Sequence, residues 1–165
     1  MAIRLHSLAL ATSLALATHF AQAACFTDSP LTRPDERYQA VDGSNGAEVK
    51  DTQTGLVWQR CMLGQSWDGN ACTGNVTPQD WPTATKTAAA SKPWRLPTQA
   101  ELEGLIEKSC SKPALNTHWF GTGPMGWVWT ATDMGSPDGS VVVNTESGLI
   151  ANFIKKLPLY VRWVH

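Results

Sequence analysis

Cysteine is the residue type with the clearest chemistry in this sequence, which contains Cys25, Cys61, Cys72 and Cys110. An even number of cysteines in an exported chain favours disulfide bonds, and four cysteines allow three pairings. The segment between Cys61 and Cys72 contains a turn, Asp68-Gly69-Asn70, that can bring the two sulfur atoms together. We therefore predict one disulfide bond between Cys61 and Cys72 and a second between Cys25 and Cys110.

Zinc binding and catalysis are the competing uses of reactive side chains. The sequence has no C-x-x-C motif, and only His118 and His165 follow the first cysteine, so the ligand set of a zinc site is incomplete. Among the acids and alcohols, no nucleophile, base and orienting group stand at a spacing that would bring them together. We expect no zinc site and no enzymatic activity.

Calcium is the one cofactor for which the sequence offers candidate ligands. Asp133, Ser136 and Asp138 lie in a Gly/Pro-containing loop before a strand, and hard oxygen ligands on a loop can hold Ca²⁺. The same residue types are used by any tight turn, so a simple turn is the alternative. We predict no cofactor other than this calcium candidate.

Loops also supply the candidate ligand-binding residues. Trp67 stands in a Gly-rich loop, where we expect it to be the most exposed of the eight tryptophans, although loop packing is an equal alternative. A tryptophan offers a large contact face, and neighbouring carboxylates and amides offer directed hydrogen bonds. We predict that Trp67, Asp68, Asn70, Asp133 and Asp138 contact a ligand, because loops are free to carry function.

Helices are predicted in the middle of the chain. Thr77 and Pro78 are typical of a helix start, which predicts a helix from there through Trp81 to about Ala90. Pro82 then falls inside this helix and would distort its first turn. A second helix is predicted from Thr98, because Thr98 and Glu101 have the spacing of a capping box. Its core-facing residues recur at helical spacing: Leu102, Leu105, Ile106 and Cys110.

Strands are predicted on both sides of these helices. A strand around Val49 and a second at Leu56-Val57-Trp58 flank the turn Asp51-Thr52-Gln53-Thr54-Gly55 and predict a hairpin, and regular structure is expected to begin near Glu48. Four later segments alternate with period two: 127–132, 140–143, 149–153 and 159–164. This order predicts an α+β fold with an antiparallel sheet, two helices and a long loop region, stabilised by disulfide bonds.

Several of these segments carry a family resemblance. Five blocks occur in the order typical of one bacterial family: residues 51–61, 94–102, 113–117, 129–132 and 160–164. The second block begins with Trp94-Arg95-Leu96-Pro97-Thr98. The sequence resembles the Lcl C-terminal domain family, named after a collagen-like surface adhesin. The resemblance covers about residues 47–165. It implies a C-type-lectin-like fold, in which the first and last strands pair, and its cysteine loop supports the Cys61–Cys72 pairing.

Two departures limit what the resemblance implies. Many members of the family end in a cysteine where this chain has Trp163, and the chain has no collagen-like repeat. The block from Trp94 to Thr98 is also similar to the corresponding stretch of formylglycine-generating enzymes, which share the fold. Those enzymes need a reactive cysteine pair or a histidine cluster, and this sequence offers neither, so an oxidising enzyme is the less favoured reading.

Export is predicted by the first residues of the chain. A basic start, an apolar run over residues 8–20 and Ala21-Gln22-Ala23 are typical of a cleavable signal peptide, with cleavage between Ala23 and Ala24. The apolar run is shorter than the ~20 residues that a membrane-spanning helix needs. We therefore predict three parts: a signal peptide (1–23), an irregular N-terminal lead-in (24–46) and an Lcl-like domain (47–165).

Composition narrows the function to binding. The formal net charge is −1 and the longest basic run is Lys155-Lys156, which argues against a nucleic-acid partner. We predict a secreted, periplasmic or cell-surface module that binds a glycan or a protein without catalysis. The alternative is a structural, accessory or inhibitor-like subunit of an envelope assembly such as a pilus.

Overall fold

The computed structural model describes residues 24–26, 30–121, 123–133 and 135–165. The predicted signal peptide, residues 1–23 with the cleavage residue Ala23, lies outside the described residues. Met134, which follows the predicted contact residue Asp133, also lies outside them. Ala24 is the first described residue and begins β1 (Ala24–Cys25).

The N-terminal half forms a three-stranded antiparallel sheet of β2 (Tyr38–Ala40), β3 (Glu48–Asp51) and β4 (Val57–Gln59). The predicted hairpin is confirmed, and its turn is closed by a 2.8 Å hydrogen bond from the Gly55 N–H to the Asp51 carbonyl. The expectation that regular structure begins near Glu48 is wrong, because β2 precedes it. A three-residue strand is too short to show a period of two in the sequence.

Contacts to the core hold the rest of the lead-in in place. Cys25 is bonded to Cys110, and β1 pairs with β7 (Cys110–Ser111). The buried Glu107 carboxylate accepts hydrogen bonds from the backbone N–H groups of Thr32 and Arg33, the latter at 2.7 Å, and from the Ser109 hydroxyl. The lead-in is therefore part of the folded domain.

The cysteine loop and the first helix follow β4. Cys61 is bonded to Cys72, so both disulfide bonds join the cysteines that the sequence analysis paired. Within this loop, β5 (Ser66–Trp67) and β6 (Cys72–Thr73) form a short hairpin. The helix α1 (Trp81–Ala90) begins three residues later than Pro78, because the Asp80 side chain caps it by accepting from the Thr83 N–H at 2.8 Å. Pro82 thus lies in the first turn, where its missing N–H costs nothing, and the predicted distortion is wrong.

The helix α2 (Gln99–Glu103) is shorter than predicted. Its capping box between Thr98 and Glu101 is confirmed, but the helix ends at Gly104. Glycine is a poor helix former, and tighter turns follow it, with the Leu105 N–H bonded to the Leu102 carbonyl. Cys110 therefore lies on β7 and not on the helix. A third, four-residue helix that the sequence did not predict is α3 (Thr117–Phe120).

The C-terminal half forms a second antiparallel sheet in the order β10 (Ile150–Ile154), β9 (Gly139–Asn144) and β8 (Trp127–Asp133). These three strands match the prediction. Both faces of β9 are buried, because Val143 belongs to one core cluster with Val128 and Leu105, whereas Val142 belongs to a second with Trp129. This explains the uninterrupted apolar run of β9, since neighbouring side chains of a strand point to opposite faces.

The closing segment, residues 159–165, joins both sheets. Val164 bridges both Trp58 and Arg95, and Val57 exchanges backbone hydrogen bonds of 2.9 Å with His165, so β4 lies beside the end of the chain, whereas the first strand, β1, pairs with β7. The segment is not a regular strand, because its partner changes along its length from Gln79 to Val128 to Trp58 and Arg95. The architecture is mixed α+β with antiparallel sheets, few helices and two disulfide bonds, and it is compatible with a C-type-lectin-like fold.

Candidate functional site

A groove with a volume of about 730 Å³ lies between α1 and the segment that leads into α2. Most of its lining is apolar, and two indole rings contribute to it. We call it the tryptophan groove. Its lining residues are Trp81, Thr85, Ala88, Ala89, Lys92, Pro93, Trp94, Arg95, Leu96, Thr98, Glu101 and Ala131.

One wall of the tryptophan groove is the exposed side of α1. Ala84 and Ala88 face the core, where they belong to the same cluster as Trp129 and Val142 of the second sheet. The Trp81 indole N–H donates to the Thr130 carbonyl at 2.9 Å, and the Lys155 ammonium lies 4.6 Å from the centre of the Trp81 rings. These contacts hold the indole in one orientation.

The opposite wall is organised by an ion pair. The Arg95 guanidinium donates two hydrogen bonds of 2.7 Å to the Glu101 carboxylate. This pairing lowers the pKa of Glu101 and raises that of Arg95. Glu101 also accepts from the Thr98 N–H at 2.7 Å, so the carboxylate that caps α2 fixes the arginine as well. Trp94 is held beside them by an edge contact with His165, with ring centroids 4.5 Å apart.

Chemically, the tryptophan groove is suited to binding. The titratable groups among its lining residues are Lys92, Arg95 and Glu101, and the last two neutralise each other. Indole faces bind the apolar face of a ligand, and the charged pair and the Thr98 hydroxyl offer hydrogen bonds at its edge.

Trp67, the centre of the predicted site, lies elsewhere. Its indole is partly buried, and the Arg60 guanidinium lies over it at 4.1 Å. The other partner of Arg60 is Trp119, whose ring is 5.0 Å away, so the arginine is sandwiched between two indoles. The edge of Trp67 packs over Gly46, where a Cβ atom would lie 3.0 Å from the indole nitrogen. Trp67 therefore takes part in packing and also borders a separate cavity of about 270 Å³.

The other predicted contact residues do not line the tryptophan groove. Asp68 accepts from the N–H groups of Asn70 and Ala71, at 2.9 and 2.8 Å, and so closes its own turn. These bonds lower the pKa of Asp68, the one from Ala71 most. Asp133 accepts from the Lys155 ammonium at 3.3 Å, and the Asp138 carbonyl accepts from the Lys155 N–H. The two predicted loops are thus each held by local partners.

Two of the three proposed calcium ligands, Asp133 and Asp138, contact Lys155. The ammonium of Lys155 occupies one oxygen of Asp133, and the other oxygen accepts from the Gly135 N–H at 3.1 Å. Among the described residues, Ser136 forms no hydrogen bond that would bring another carboxylate into this loop. Within residues 24–26, 30–121, 123–133 and 135–165, no group of three or more His, Cys, Asp or Glu side chains could hold a metal ion.

Trp81 and Trp94 are the site residues that the sequence analysis did not identify as such. The count of eight tryptophans was the available signal. It could not separate these two from the buried Trp58 and Trp129, because the groove arises only when α1 packs beside the Arg95–Glu101 pair. Arg95 is paired with Glu101 in the wall of this groove.

No helix in the described part of the chain is long and apolar enough to cross a membrane. The family model described as the Lcl C-terminal domain matches residues 47–165. No curated protein matches the chain.

Proposed function

Because the chain belongs to the Lcl C-terminal domain family, we propose that it is an exported, non-enzymatic binding or adhesion module of the bacterial envelope or surface. The association of the family with surface adhesins supports this role. Two disulfide bonds support an oxidising compartment, the periplasm or the cell exterior, in agreement with the signal peptide that the sequence predicts.

The observation that carries the proposal is the tryptophan groove. A concave site of about 730 Å³ with two fixed indoles is a typical ligand-binding site. We assign it a glycan, because a sugar ring has an apolar face that stacks on an indole and hydroxyl groups that bond to charged side chains. In this assignment Trp81 and Trp94 supply the faces, and the Arg95–Glu101 pair supplies the polar contacts.

The test uses two neighbouring residues of α1. Ala89 lines the tryptophan groove, whereas Ala90 is equally exposed but is not among the lining residues. Ala89→Arg should fill the groove and reduce glycan binding at least about tenfold, a loss of about 1.4 kcal/mol. Ala90→Arg adds the same charge to the same helix and should leave binding unchanged.

The measurement is binding of the oxidised mature protein to a glycan array, with and without Ca²⁺. Equal binding by the two variants would place the ligand elsewhere and contradict the assignment of the groove. Binding of an envelope protein and of no glycan, with the Ala89 variant still defective, would keep the groove and replace the ligand class. Dependence on Ca²⁺ would revive the calcium candidate at Asp133, Ser136 and Asp138.

A second candidate function is an accessory subunit of an envelope assembly. It is favoured by the exposed apolar side chains at β10, since patches of this kind mark protein contacts. The absence of catalysis remains a proposal, supported by the neutralised charges of the groove.

A further inference from the structure

The strand β10 exposes an unusual amount of apolar surface. Six large apolar residues are exposed among the described residues, and four of them lie on or next to this strand: Leu149, Ile150, Ile154 and Leu157, at 62, 47, 57 and 37 %. The alternate residues Ala151 and Phe153 pack against the core. The strand therefore has one face in the protein and an apolar face in solvent.

The backbone of β10 is also open along one edge. The strand is the last of its sheet and pairs with β9. Two hydrogen bonds mark the ends of this pairing. One runs from the Asn144 N–H to the Leu149 carbonyl, and the other runs from the Lys155 N–H to the Asp138 carbonyl. They show that the odd-numbered residues of β10 bond to β9. In a regular antiparallel pair the intervening residues direct their N–H and C=O groups to the other side.

Those intervening residues are Ile150, Asn152 and Ile154. Only the Ile154 carbonyl has a further partner among the described residues, the N–H of Leu157. Natural proteins commonly protect such an edge with a charged side chain. Lys155 does not serve here, because its ammonium bonds to Asp133 and lies over Trp81.

We propose that β10 pairs with β10 of a second copy of this chain, antiparallel and centred on Asn152, so that the two sheets join across a two-fold axis. The residues of the strand are self-complementary about this centre. Ile150 faces Ile154 of the other copy, and Asn152, whose amide lies over Gly139 of its own sheet, faces its own equivalent. The Asn152 pair is of the kind that exchanges two backbone hydrogen bonds, and the Ile154 N–H is free to donate to Ile150 of the other copy, whereas the Ile154 carbonyl keeps its bond from Leu157.

Charge supports a second copy of the chain as the occupant. Glu146 lies in the turn before β10 and Lys156 directly after it, and both are exposed. Antiparallel pairing brings the acidic end of one strand to the basic end of the other. A parallel arrangement would instead place like charges together, so the proposed pairing is favoured at both ends.

Cysteine cross-linking tests the register. Asn152→Cys places two thiols opposite each other on the axis, where Cα atoms of a bonded pair are about 5.5 Å apart, within disulfide range. Ile150→Cys places the two thiols four residues apart along the strands, about 14 Å, and is the matched control. The expected result is a covalent dimer from Asn152→Cys and none from Ile150→Cys, with peptide mapping to show that the native disulfide bonds remain.

Sedimentation equilibrium of the unaltered protein tests the association itself. A dimer is expected, and Ile150→Lys/Ile154→Lys should weaken it at least about tenfold, because the proposed register places two introduced ammonium groups directly opposite each other at each of its two Ile150–Ile154 pairs. Leu31→Lys changes an exposed leucine of the lead-in and should leave the dimer intact. A monomer at all concentrations, a covalent dimer from Ile150→Cys, or a dimer that survives the double substitution would each overturn the proposal.

Discussion

Three arginines are buried among the residues that the structure describes, and each is stabilised in a different way. Arg37 forms an ion pair with Asp51, with 2.9 Å between Nε and Oδ1. Arg162 donates to the backbone carbonyls of Gln59 and Arg60, and burial lowers its pKa to about 10, so it is a cation at neutral pH. Arg60 forms no ion pair with any described carboxylate and relies on two indole faces.

Such a sandwich predicts a measurable energetic coupling between Arg60 and Trp67. A cation over an indole contributes about 0.5–2 kcal/mol, more when water is excluded. In a double-mutant cycle of Arg60→Met and Trp67→Leu, urea unfolding should give a coupling energy of about 1 kcal/mol. Additive losses would show that the two side chains are neighbours without interacting.

The Trp67→Leu variant also separates packing from recognition, because its unfolding free energy and its glycan affinity can be measured side by side. From the sequence alone, Trp67 was expected to contact a ligand, which requires a free indole face. Because Arg60 covers one face and Gly46 meets the ring edge, we expect Trp67→Leu to lower the unfolding free energy and to leave glycan affinity unchanged. Asp68→Ala, in the same turn, is the control for local disturbance.

At the scale of elements, the lead-in is attached by the Glu107 carboxylate. Burial opposes ionisation of this group, but hydrogen bonds from Ser109, Arg33 and Thr32 outweigh it and lower the pKa of Glu107. A lowered pKa means that the charged form stabilises the fold above the unfolded pKa of about 4.3, and that this contribution is lost as the pH falls below it.

Glu107→Gln should therefore destabilise the protein at pH 7 by about 1–3 kcal/mol, because N–H donors to a charged acceptor are left with a weaker partner. The difference from the unaltered protein should shrink between pH 5 and pH 3, as measured by urea unfolding. Glu36→Gln changes an exposed carboxylate of the lead-in and should have no effect. A constant difference at all pH values would contradict the role of ionisation.

Elements with their own local signals were predictable from the sequence. The strands β8 and β10 alternate with period two, β9 is an apolar run between turns, and α2 has a capping box, so these elements were found. Signals that need a tertiary partner were not found. The strand β2 exists because β3 lies beside it, and α1 begins at Trp81 with Asp80 as its cap, although Thr77 and Pro78 are equally good start residues. The tryptophan groove belongs to this second group.

At the scale of the whole molecule, the fold is larger than the family match. The match begins at residue 47, whereas β2 completes the first sheet and Cys25 fixes the lead-in to β7. The closing segment then ties this sheet to the second one, since Val164 bridges Trp58 and Arg95 while Tyr160 bridges Val128. The two sheets are therefore expected to unfold together.

Removing the closing segment should abolish this cooperativity. Deletion of residues 159–165 removes the buried Val161, Trp163 and Val164 and leaves β4 without its second partner, so we expect no cooperative thermal transition.

Because the truncated chain can fail to fold at all, Val164→Ala provides the graded test. It should cost about 1–3 kcal/mol in urea unfolding, the usual range for a shortened core side chain, whereas Lys86→Ala, at an exposed position of α1, should cost less than about 0.5 kcal/mol. A melting transition that stays within a few degrees in the truncated protein would show that the closing segment does not hold the two sheets together.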